Sequence, residues 1–265
     1  MKVITLLNEK GGVGKTTLAN HLAWGLACRG KRVMLVDGDP QGHATIRAGL
    51  KKGPGLYDLL VRDAEWKATA RLVAPERYGL PGERIPQGKL FVLPSNVETR
   101  NIANSISEAE RLAVRLQEMQ PFVDYVVIDS SPTPSLLHGV FYTATDAVIY
   151  PTQLAMGSFD GLVESISRRM AADTARSNRW DLPAIEVLGI VPTMYRSVTS
   201  EQRDNLAKLT AQFGHLVWSP IPQATIWTES ESYMRPVFAL SPSSAAAGHV
   251  WEMVDKVEAR YSNGV

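Results

Sequence analysis

The sequence predicts an α/β protein whose sheet is doubly wound and mostly parallel, with helices on both faces. Three observations indicate this class. Short apolar, β-branched segments alternate with segments whose apolar residues recur at helical spacing. A glycine-rich loop joins the first of these strands to the first helix. Aspartates end two of the buried strands, which is where open parallel sheets bind ligands. Repeated βα units imply parallel strands, because each helix returns the chain to the same edge of the sheet.

The strand and helix segments follow one another along most of the chain. Runs that are apolar on both faces predict buried strands at residues 3–7, 33–37, 90–94, 125–129, 147–151 and 187–192. Apolar residues at helical spacing predict helices over residues 18–27, 106–119, 162–170, 201–213 and 245–260. Glycine and proline punctuate residues 50–100, so we expect surface helices and loops there. Since we find no internal repeat or long linker, we expect residues 1–265 to form one domain.

Composition and charge exclude several classes of protein. The 265 residues carry 28 Lys and Arg against 27 Asp and Glu, a formal net charge of +1 at pH 7, so binding to nucleic acid would need a local basic patch. The single cysteine, Cys28, cannot form an intrachain disulfide or a cysteine-rich metal site. No segment approaches the ~20 consecutive apolar residues of a membrane span. We therefore expect a soluble, cytoplasmic protein.

The loop at residues 10–17, KGGVGKTT, has the composition of a phosphate-binding loop. It lies between the first predicted strand and the first predicted helix, where backbone N–H groups and the helix N-terminus attract anions. In such loops the lysine reaches the β and γ phosphates, and the hydroxyl that follows it binds Mg²⁺. The predicted ATP-binding residues of this loop are Lys10, Gly11, Gly12, Val13, Gly14, Lys15, Thr16 and Thr17.

The loop departs from the common GxxxxGK[ST] pattern in an informative way. Glu9 stands where that pattern has its first glycine, and an additional lysine, Lys10, follows it. A dinucleotide-binding fingerprint is the nearest competing interpretation, because Gly12 and Gly14 form a GxG pair. However, Thr17 occupies the place of the third glycine of that fingerprint. The pattern therefore favours a triphosphate.

Three segments together carry a family resemblance: KGGVGKTT, VDGDPQGHAT and YVVIDSSPTPS. They resemble the deviant Walker A ATPases of the ParA/MinD class, and the ParA branch is the closer match. The resemblance implies a P-loop ATPase fold, ATP and Mg²⁺ as cofactors, and a homodimer with two ATP molecules between its subunits. It also implies that Lys10 reaches across to the nucleotide of the other subunit. A cation placed on the developing charge can accelerate hydrolysis by about 10³–10⁵.

Two aspartates complete the predicted site. Asp129 ends the strand at residues 125–129 and resembles a Walker B aspartate, which contributes to the Mg²⁺ shell largely through water. Asp39 matches the residue that orients the attacking water in the ParA family, and Asp37 is expected to support the loop or the outer shell of the metal. The predicted catalytic residues are Lys10, Lys15 and Asp39, and the predicted metal-binding residues are Thr16, Asp39 and Asp129.

The resemblance also implies an adenine site and macromolecular partners. Loose similarity assigns the adenine contacts to Met194 and Pro222. Members of the ParA family bind DNA nonspecifically as ATP dimers and are stimulated by a ParB-like partner. DNA-binding members often carry arginines in the segments that match residues 194–201 and 222–229, where this chain has one arginine. A basic face for DNA is predicted from Arg168, Arg169, Arg196 and Arg235.

Three alternatives stay open from the sequence. A MinD-like ATPase would attach to a membrane through an amphipathic C-terminal helix, but we expect the apolar residues at 250–257 to pack on the sheet. A P-loop metabolic kinase or ATP-dependent ligase would share the phosphate loop and act on a small acceptor. A nucleotide-binding scaffold would hydrolyse little ATP. A nitrogenase-reductase-like function is excluded, because Cys28 alone cannot hold a bridging iron–sulfur cluster.

Overall fold

The computed structural model describes residues 1–133, 135–155 and 158–262, and a seven-stranded sheet forms the centre of these ranges. The strands are β1 Lys2–Leu6, β2 Arg32–Gly38, β3 Arg71–Leu72, β4 Lys89–Leu93, β5 Tyr125–Ser130, β6 Ala147–Gln153 and β7 Glu186–Thr193. Their order in the sheet is β3-β4-β2-β5-β1-β6-β7. Only the pair β3 and β4 is antiparallel among the paired strands of the described ranges.

The predicted fold class is confirmed, and each of the six predicted strands is present within two residues of its predicted ends. Alternating strands and helices build the parallel sheet because every crossover carries a helix to one face or the other. The unpredicted strand, β3, is only two residues long and lies at the edge of the sheet. A segment of that length has no periodicity that a sequence pattern could reveal.

Helices cover both faces of the sheet. In the described ranges they are α1 Lys15–Cys28, α2 His43–Arg47, α3 Gly55–Val61, α4 Trp66–Thr69, α5 Ile102–Ser105, α6 Arg111–Gln117, α7 Leu136–Ala144, α8 Ser158–Trp180, α9 Ser200–Phe213, α10 Thr225–Tyr233, α11 Val237–Leu240 and α12 Ala245–Ser262. Short 3-10 helices lie at Pro75–Arg77, Val97–Asn101 and Gly214–Leu216.

The predicted helix over residues 106–119 was wrong at its start. Ile106 has extended backbone, with φ −119° and ψ 144°, and α6 begins only at Arg111. Helix α8 extends ten residues beyond its predicted end at residue 170. Helix α7 was not predicted, because most of its residues are buried and it lacks a polar face of helical period.

The last helix packs on the core. In α12 the side chains of Val250, Met253, Val254 and Val257 are at most 3% exposed, and the helix lies against α1. Its apolar face is therefore buried in the core, as expected, but its main contacts are with helices α1 and α11 and not directly with the sheet. No helix in the part of the chain that the structure describes is long and apolar enough to cross a membrane.

Three strands bring their carboxyl ends to one place in the sheet. Asp129 near the end of β5 is the register partner of Leu6 at the end of β1, and it is also the register partner of Asp37 in β2. The loops that leave these strands therefore start side by side. This edge carries the candidate site.

Candidate active site

The phosphate loop joins β1 to α1, as predicted. Gly12 and Gly14 have φ values of +74° and +91°, a region that residues with a Cβ rarely adopt, so glycine is required for this path. Gly14 is the residue before the first turn of α1 and its carbonyl accepts the N–H of Leu18. The N–H groups of the loop and of the first turn thus lie where phosphate oxygens can accept from them.

Two polar residues at the ends of neighbouring strands hold the loop from outside. The Nε2 of Gln153 donates to the carbonyl of Gly12 at 3.0 Å, and the Oγ1 of Thr193 donates to the carbonyl of Val13 at 2.8 Å. Sequence reasoning missed both residues as parts of the site. Their position at the carboxyl ends of β6 and β7 is the signal that could have found them, since ligands of parallel sheets bind at that edge.

Lys15 is a buried cation at the centre of the loop. Its side chain is 5% exposed, and its Nζ donates to the carbonyl oxygen of Lys10 at 2.9 Å. Burial lowers the pKa of Lys15 to about 8, against the opposing effect of the nearby carboxylates of Asp129 and Asp39. A poorly solvated ammonium beside a ring of N–H groups favours an anionic ligand.

Asp129 lies beside that lysine and is completely buried. Among the described residues, neither oxygen of its carboxylate has a hydrogen-bond partner. Burial and the neighbouring Asp37 raise the pKa of Asp129 to about 8, while Thr16 and Lys15 oppose this rise. Buried polar atoms without partners are rare in folded proteins and need an explanation. A cation bound at this edge would provide one.

The neighbouring carboxylates fit a Mg²⁺ site better than a site for a soft metal. Asp39 and the hydroxyl of Thr16 are the other oxygen ligands that the sequence predicts, and both residues lie at the same sheet edge. The described residues contain no cluster of three or more His, Cys, Asp or Glu side chains able to hold a metal ion. Mg²⁺ commonly uses few protein ligands and completes its octahedral shell with water and phosphate oxygens. The donor set therefore fits this ion.

Asp37 has a structural environment that differs from that of Asp129. Its Oδ2 accepts from the N–H and the hydroxyl of Thr45 at 2.8 and 2.6 Å, and its Oδ1 accepts from the N–H of Asp39 at 3.2 Å. Burial raises the pKa of Asp37 to about 6, although the hydrogen bonds from Thr45 lower it. Asp37 thus supports the loop after β2, as expected.

Asp39 is partly exposed and lies in that loop. Its Oδ1 accepts the N–H of Gln41 at 2.8 Å, and its carbonyl accepts the hydroxyl of Ser95 at 2.7 Å. The residue borders a cleft of about 410 Å³ whose wall includes Ser131 and His138. The N–H of Gln41 therefore holds the carboxylate of a residue that borders a space large enough for water.

A second cleft adjoins the phosphate loop and brings the two predicted adenine contacts together. Its volume is about 380 Å³, and Met194 and Pro222 line it beside Gly14. The backbone of residue 195 pairs with that of residues 221 and 223, which holds the two segments at this distance. Helix α10 supplies a wall that the sequence did not predict, formed by Trp227, Thr228 and Glu231. Apolar walls with a few polar groups are typical of nucleotide-base pockets.

The predicted basic face needs correction. Arg169 was wrongly placed on it, because its guanidinium is paired with Asp173 at 2.5 Å, donates to the carbonyl of Ile185 and is 14% exposed. Arg168 is half exposed but forms an ion pair with Glu9. Arg196 is exposed. Arg235 is partly buried and has a long hydrogen bond to the carbonyl of Glu76 at 3.4 Å. The four arginines therefore do not form one face of free cations.

Comparison with known proteins agrees with the geometry. The family described as an AAA domain matches residues 1–178. The chain is 30% identical over 247 residues to the chromosome partitioning protein ParA of Caulobacter vibrioides, covering 89% of this chain and 86% of that one. It is 32% identical over 259 residues to the chromosome-partitioning ATPase Soj of Thermus thermophilus, covering 97% and 95%.

A solved structure shows the same fold with ligands bound. The cobyrinic acid a,c-diamide synthase of Mycobacterium smegmatis, with a bound ATP analogue and magnesium, superposes with a TM-score of 0.74 at 25% identity and covers 100% of this chain and 97% of its own. The same family is indicated by the two partition relatives, by the matched AAA domain and by the loop from Lys10 to Thr17. The chain belongs to the ParA family of P-loop ATPases.

Proposed function

We propose that the chain is a Mg²⁺-dependent ATP hydrolase that closes into a homodimer around two ATP molecules and acts as a switch in DNA partition or cargo positioning. The observation that carries this proposal is the buried pair at the phosphate loop. Lys15 is a desolvated cation in the phosphate loop. Neither oxygen of the Asp129 carboxylate has a full hydrogen bond from a described residue, although the hydroxyl of Thr16 lies close enough to lower its pKa. Nucleotide triphosphate and a divalent ion together satisfy both groups.

The roles of the loop residues follow from their positions. The N–H groups from Gly11 to Thr17 bind phosphate oxygens, and Lys15 neutralises charge on the β and γ phosphates. The hydroxyl of Thr16 and the carboxylates of Asp39 and Asp129 would hold Mg²⁺, directly or through water. When bound, Mg²⁺ would neutralise negative charge on the β and γ phosphates. The adenine base enters the cleft between Met194 and Pro222.

Hydrolysis requires an oriented water and a cation near the transferred phosphoryl group. Asp39 orients the water by accepting a hydrogen bond on the side that faces the cleft. Lys10 comes from the other subunit and places its ammonium on the charge that develops during transfer. ATP hydrolysis is then slow in the monomer and depends on formation of the dimer. Weak turnover alone and stimulation by a ParB-like partner are consistent with a switch.

The test of this proposal is the oligomeric state in solution. Light scattering at saturating ATP and Mg²⁺ should show a dimer for Asp39→Ala, in which turnover is blocked, and a monomer without nucleotide. Lys15→Ala should stay monomeric because it cannot hold the phosphates, and Lys10→Ala should bind ATP yet stay monomeric. A monomer of Asp39→Ala at saturating ATP would overturn the proposal, as would normal hydrolysis by that variant.

DNA binding is part of the proposed function and has its own test. The two relatives are described as chromosome partitioning proteins. Of the four arginines, Arg168 and Arg196 are exposed, and Arg168 is paired with Glu9. We expect the ATP dimer to bind nonspecific duplex DNA, with an affinity that falls steeply as salt rises, because phosphate contacts release counterions. The protein would then lie over the nucleoid in the cytoplasm. Absence of an ATP-dependent, salt-sensitive shift would remove DNA from the proposal.

A ligase is the second candidate function. The observation that favours it is the similarity to the structure described as cobyrinic acid a,c-diamide synthase, at 25% identity over the whole chain. A ligase requires an acceptor for activated phosphoryl chemistry, whereas the proposed switch transfers the phosphoryl group to water. Release of phosphate by purified protein with ATP and Mg²⁺ alone favours the switch. Dependence of that release on added cobyrinic acid and an amide-nitrogen donor would favour the ligase.

A further inference from the structure

One face of helix α8 contacts the segment that precedes the phosphate loop. Gly161, Ser165 and Arg168 are spaced by four and three residues, so they lie on the same side of the helix. Each of the three touches residue 8, 9 or 10. The helix and the segment are about 150 residues apart in sequence, so only the fold brings them together.

Ser165 fixes the backbone of this segment. Its side chain is fully buried, and its Oγ accepts the N–H of Glu9 at 2.9 Å while donating to the carbonyl of Gly161 at 2.6 Å. The hydroxyl therefore uses both its donor and its acceptor capacity. These two buried hydrogen bonds fix the position of the Glu9 backbone relative to α8.

Gly161 allows the segment to lie directly on the helix. A Cβ at this position would lie 3.0 Å from the Cβ of Lys10 and 3.1 Å from the Oδ1 of Asn8. Asn8 itself is fixed, because its Nδ2 donates to the carbonyl of Pro151 at 2.8 Å and its Oδ1 accepts the N–H of Lys10 at 2.8 Å. The backbone of Lys10 thus has little room to move toward the helix.

Arg168 pairs with a carboxylate that is almost completely covered. The side chain of Glu9 is 6% exposed, whereas that of Arg168 is 56% exposed. Burial raises the pKa of Glu9, and the guanidinium of Arg168 opposes this rise. Because one charge of the pair is shielded from water, loss of the arginine leaves a carboxylate with poor solvation next to Lys10.

From these contacts we infer that α8 positions Lys10 for its action on the nucleotide of the other subunit, with Gly161, Ser165 and Arg168 as positioning residues. The inference rests on the proposed dimer. Lys10 has to reach the nucleotide of the other subunit. If its backbone is already held in place in the monomer, less conformational entropy is lost when the dimer forms. The ion pair with Glu9 also gives Arg168 a role other than contact with DNA.

The experiment compares Arg168→Gln with Arg179→Gln, both in the Asp39→Ala background and without DNA. Arg179 lies on the same helix and stacks on Trp180, so it controls for loss of one positive charge from α8. Arg168→Gln should weaken ATP-dependent dimerisation by about tenfold, because a small misplacement of an active group is costly. Its affinity for ATP as a monomer should match that of the control. Its melting temperature should fall because the buried carboxylate of Glu9 loses its partner, while the variant stays folded at the temperature of the dimerisation assay.

Two further variants separate positioning from general damage. Gly161→Ala should weaken dimerisation in the same way, since its Cβ would press on Lys10 and Asn8. Adding Glu9→Gln to Arg168→Gln should restore part of the dimer, because the buried charge without a partner is then removed. If the double variant dimerises no better than Arg168→Gln alone, the ion pair between Arg168 and Glu9 does not position Lys10.

The outcomes are distinguishable from failure of the proposed function. If Asp39→Ala alone stays monomeric with ATP, the proposed dimer is wrong and the inference falls with it. If Asp39→Ala dimerises and Arg168→Gln and Gly161→Ala dimerise equally well, only the inference is overturned. An equal loss of ATP affinity in the monomeric variants would also overturn it, because the contacts would then serve the whole loop and not the step between subunits.

Discussion

Asp37 and Asp129 are register partners on the adjacent parallel strands β2 and β5, and both are fully buried. Asp37 receives hydrogen bonds from the backbone and side chain of Thr45 and from the N–H of Asp39, whereas neither carboxylate oxygen of Asp129 has a hydrogen-bond partner among the described residues. Two carboxylates side by side in a low-dielectric environment oppose ionisation of each other. The fold therefore satisfies the carboxylate of Asp37 internally, whereas the carboxylate of Asp129 lies beside Lys15 and Thr16 of the phosphate loop.

Asp129→Asn should stabilise the nucleotide-free protein at alkaline pH. The pKa of Asp129 is raised to about 8 in the folded chain, against about 3.9 when unfolded. Between these values the unfolded state releases a proton that the folded state keeps, so wild-type stability falls as pH rises from about 4 to about 8. The asparagine variant lacks this loss.

Thermal unfolding in EDTA checks this expectation at two pH values. At pH 5 only about one of the four pH units over which this loss develops has passed, so the melting temperatures of wild type and variant should differ less than at pH 8. At pH 8 the variant should melt several degrees higher. An equal difference at both pH values would show that the effect of Asn is not electrostatic.

Thr45→Val should destabilise the protein through Asp37. Valine keeps the shape of threonine but removes the hydroxyl that donates to Oδ2 at 2.6 Å. An unsatisfied group at a buried carboxylate costs about 1–3 kcal/mol, so the free energy of unfolding should fall by that amount. Urea titration measures it. Thr210→Val on the exposed side of α9 is the matched control and should change stability little; comparable losses in both variants would contradict the role of the hydrogen bond.

Lys15→Met should separate binding from stability. Burial lowers the pKa of Lys15 to about 8, which indicates that its charge is poorly solvated without a ligand. The variant should lose detectable ATP binding by calorimetry, yet the nucleotide-free protein should melt at the wild-type temperature or above it. Lys208→Met on the exposed surface of α9 provides the control for removal of a lysine. A melting temperature of Lys15→Met well below that of wild type would mean that the ammonium of Lys15 stabilises the nucleotide-free fold.

His21 should make the protein sensitive to acid. Its Nε2 accepts the N–H of Val237 at 3.1 Å, so its Nδ1 donates to the carbonyl of Thr17 at 2.7 Å and the ring is neutral. Burial lowers the pKa of His21 to about 4. The hydrogen bond to Thr17 opposes this shift, and the charge of Arg47 adds to it.

The sign of this effect is opposite to that for Asp129. The unfolded chain binds a proton at this ring below about pH 6.5, whereas the fold resists it, so stability falls as pH drops from about 6.5 to about 4. The loss is on the order of 3 kcal/mol. His21→Gln cannot titrate, so the difference in unfolding free energy between wild type and variant should narrow from pH 7 to pH 4.5. A constant difference would show that His21 does not titrate over this range.

Local signals predicted the sheet and the phosphate loop well. The strands were recognisable because both of their faces are apolar, and the loop was recognisable because Gly12 and Gly14 must adopt positive φ next to Lys15. The sequence pattern predicted helices less well where contacts with distant residues determine the secondary structure. Helix α7 is buried on most of its surface, so its sequence shows no helical alternation, and the helix predicted from residue 106 begins only at Arg111.

The basic face shows the same limit for side chains. From the sequence alone Arg168 and Arg169 are two charges on a helix, and nothing nearby in the chain indicates how they are used. Their pairing with Glu9 and Asp173 depends on how α8 lies against the sheet. A loose resemblance selected Met194 and Pro222, and the structure places both in one cleft, while their contact with adenine stays a prediction.

By itself the sequence determined the parallel α/β class, the phosphate loop with its two lysines and the aspartates at the strand ends, because these depend on periodicity and on residue types at fixed short spacing. Only the tertiary structure decided that Asp37 accepts hydrogen bonds from described residues while Asp129 accepts none from them, that α10 walls the cleft beside Gly14, and that α8 contacts the segment before Lys10. Burial and hydrogen-bond partners arise between residues far apart in the chain, and no local pattern records them.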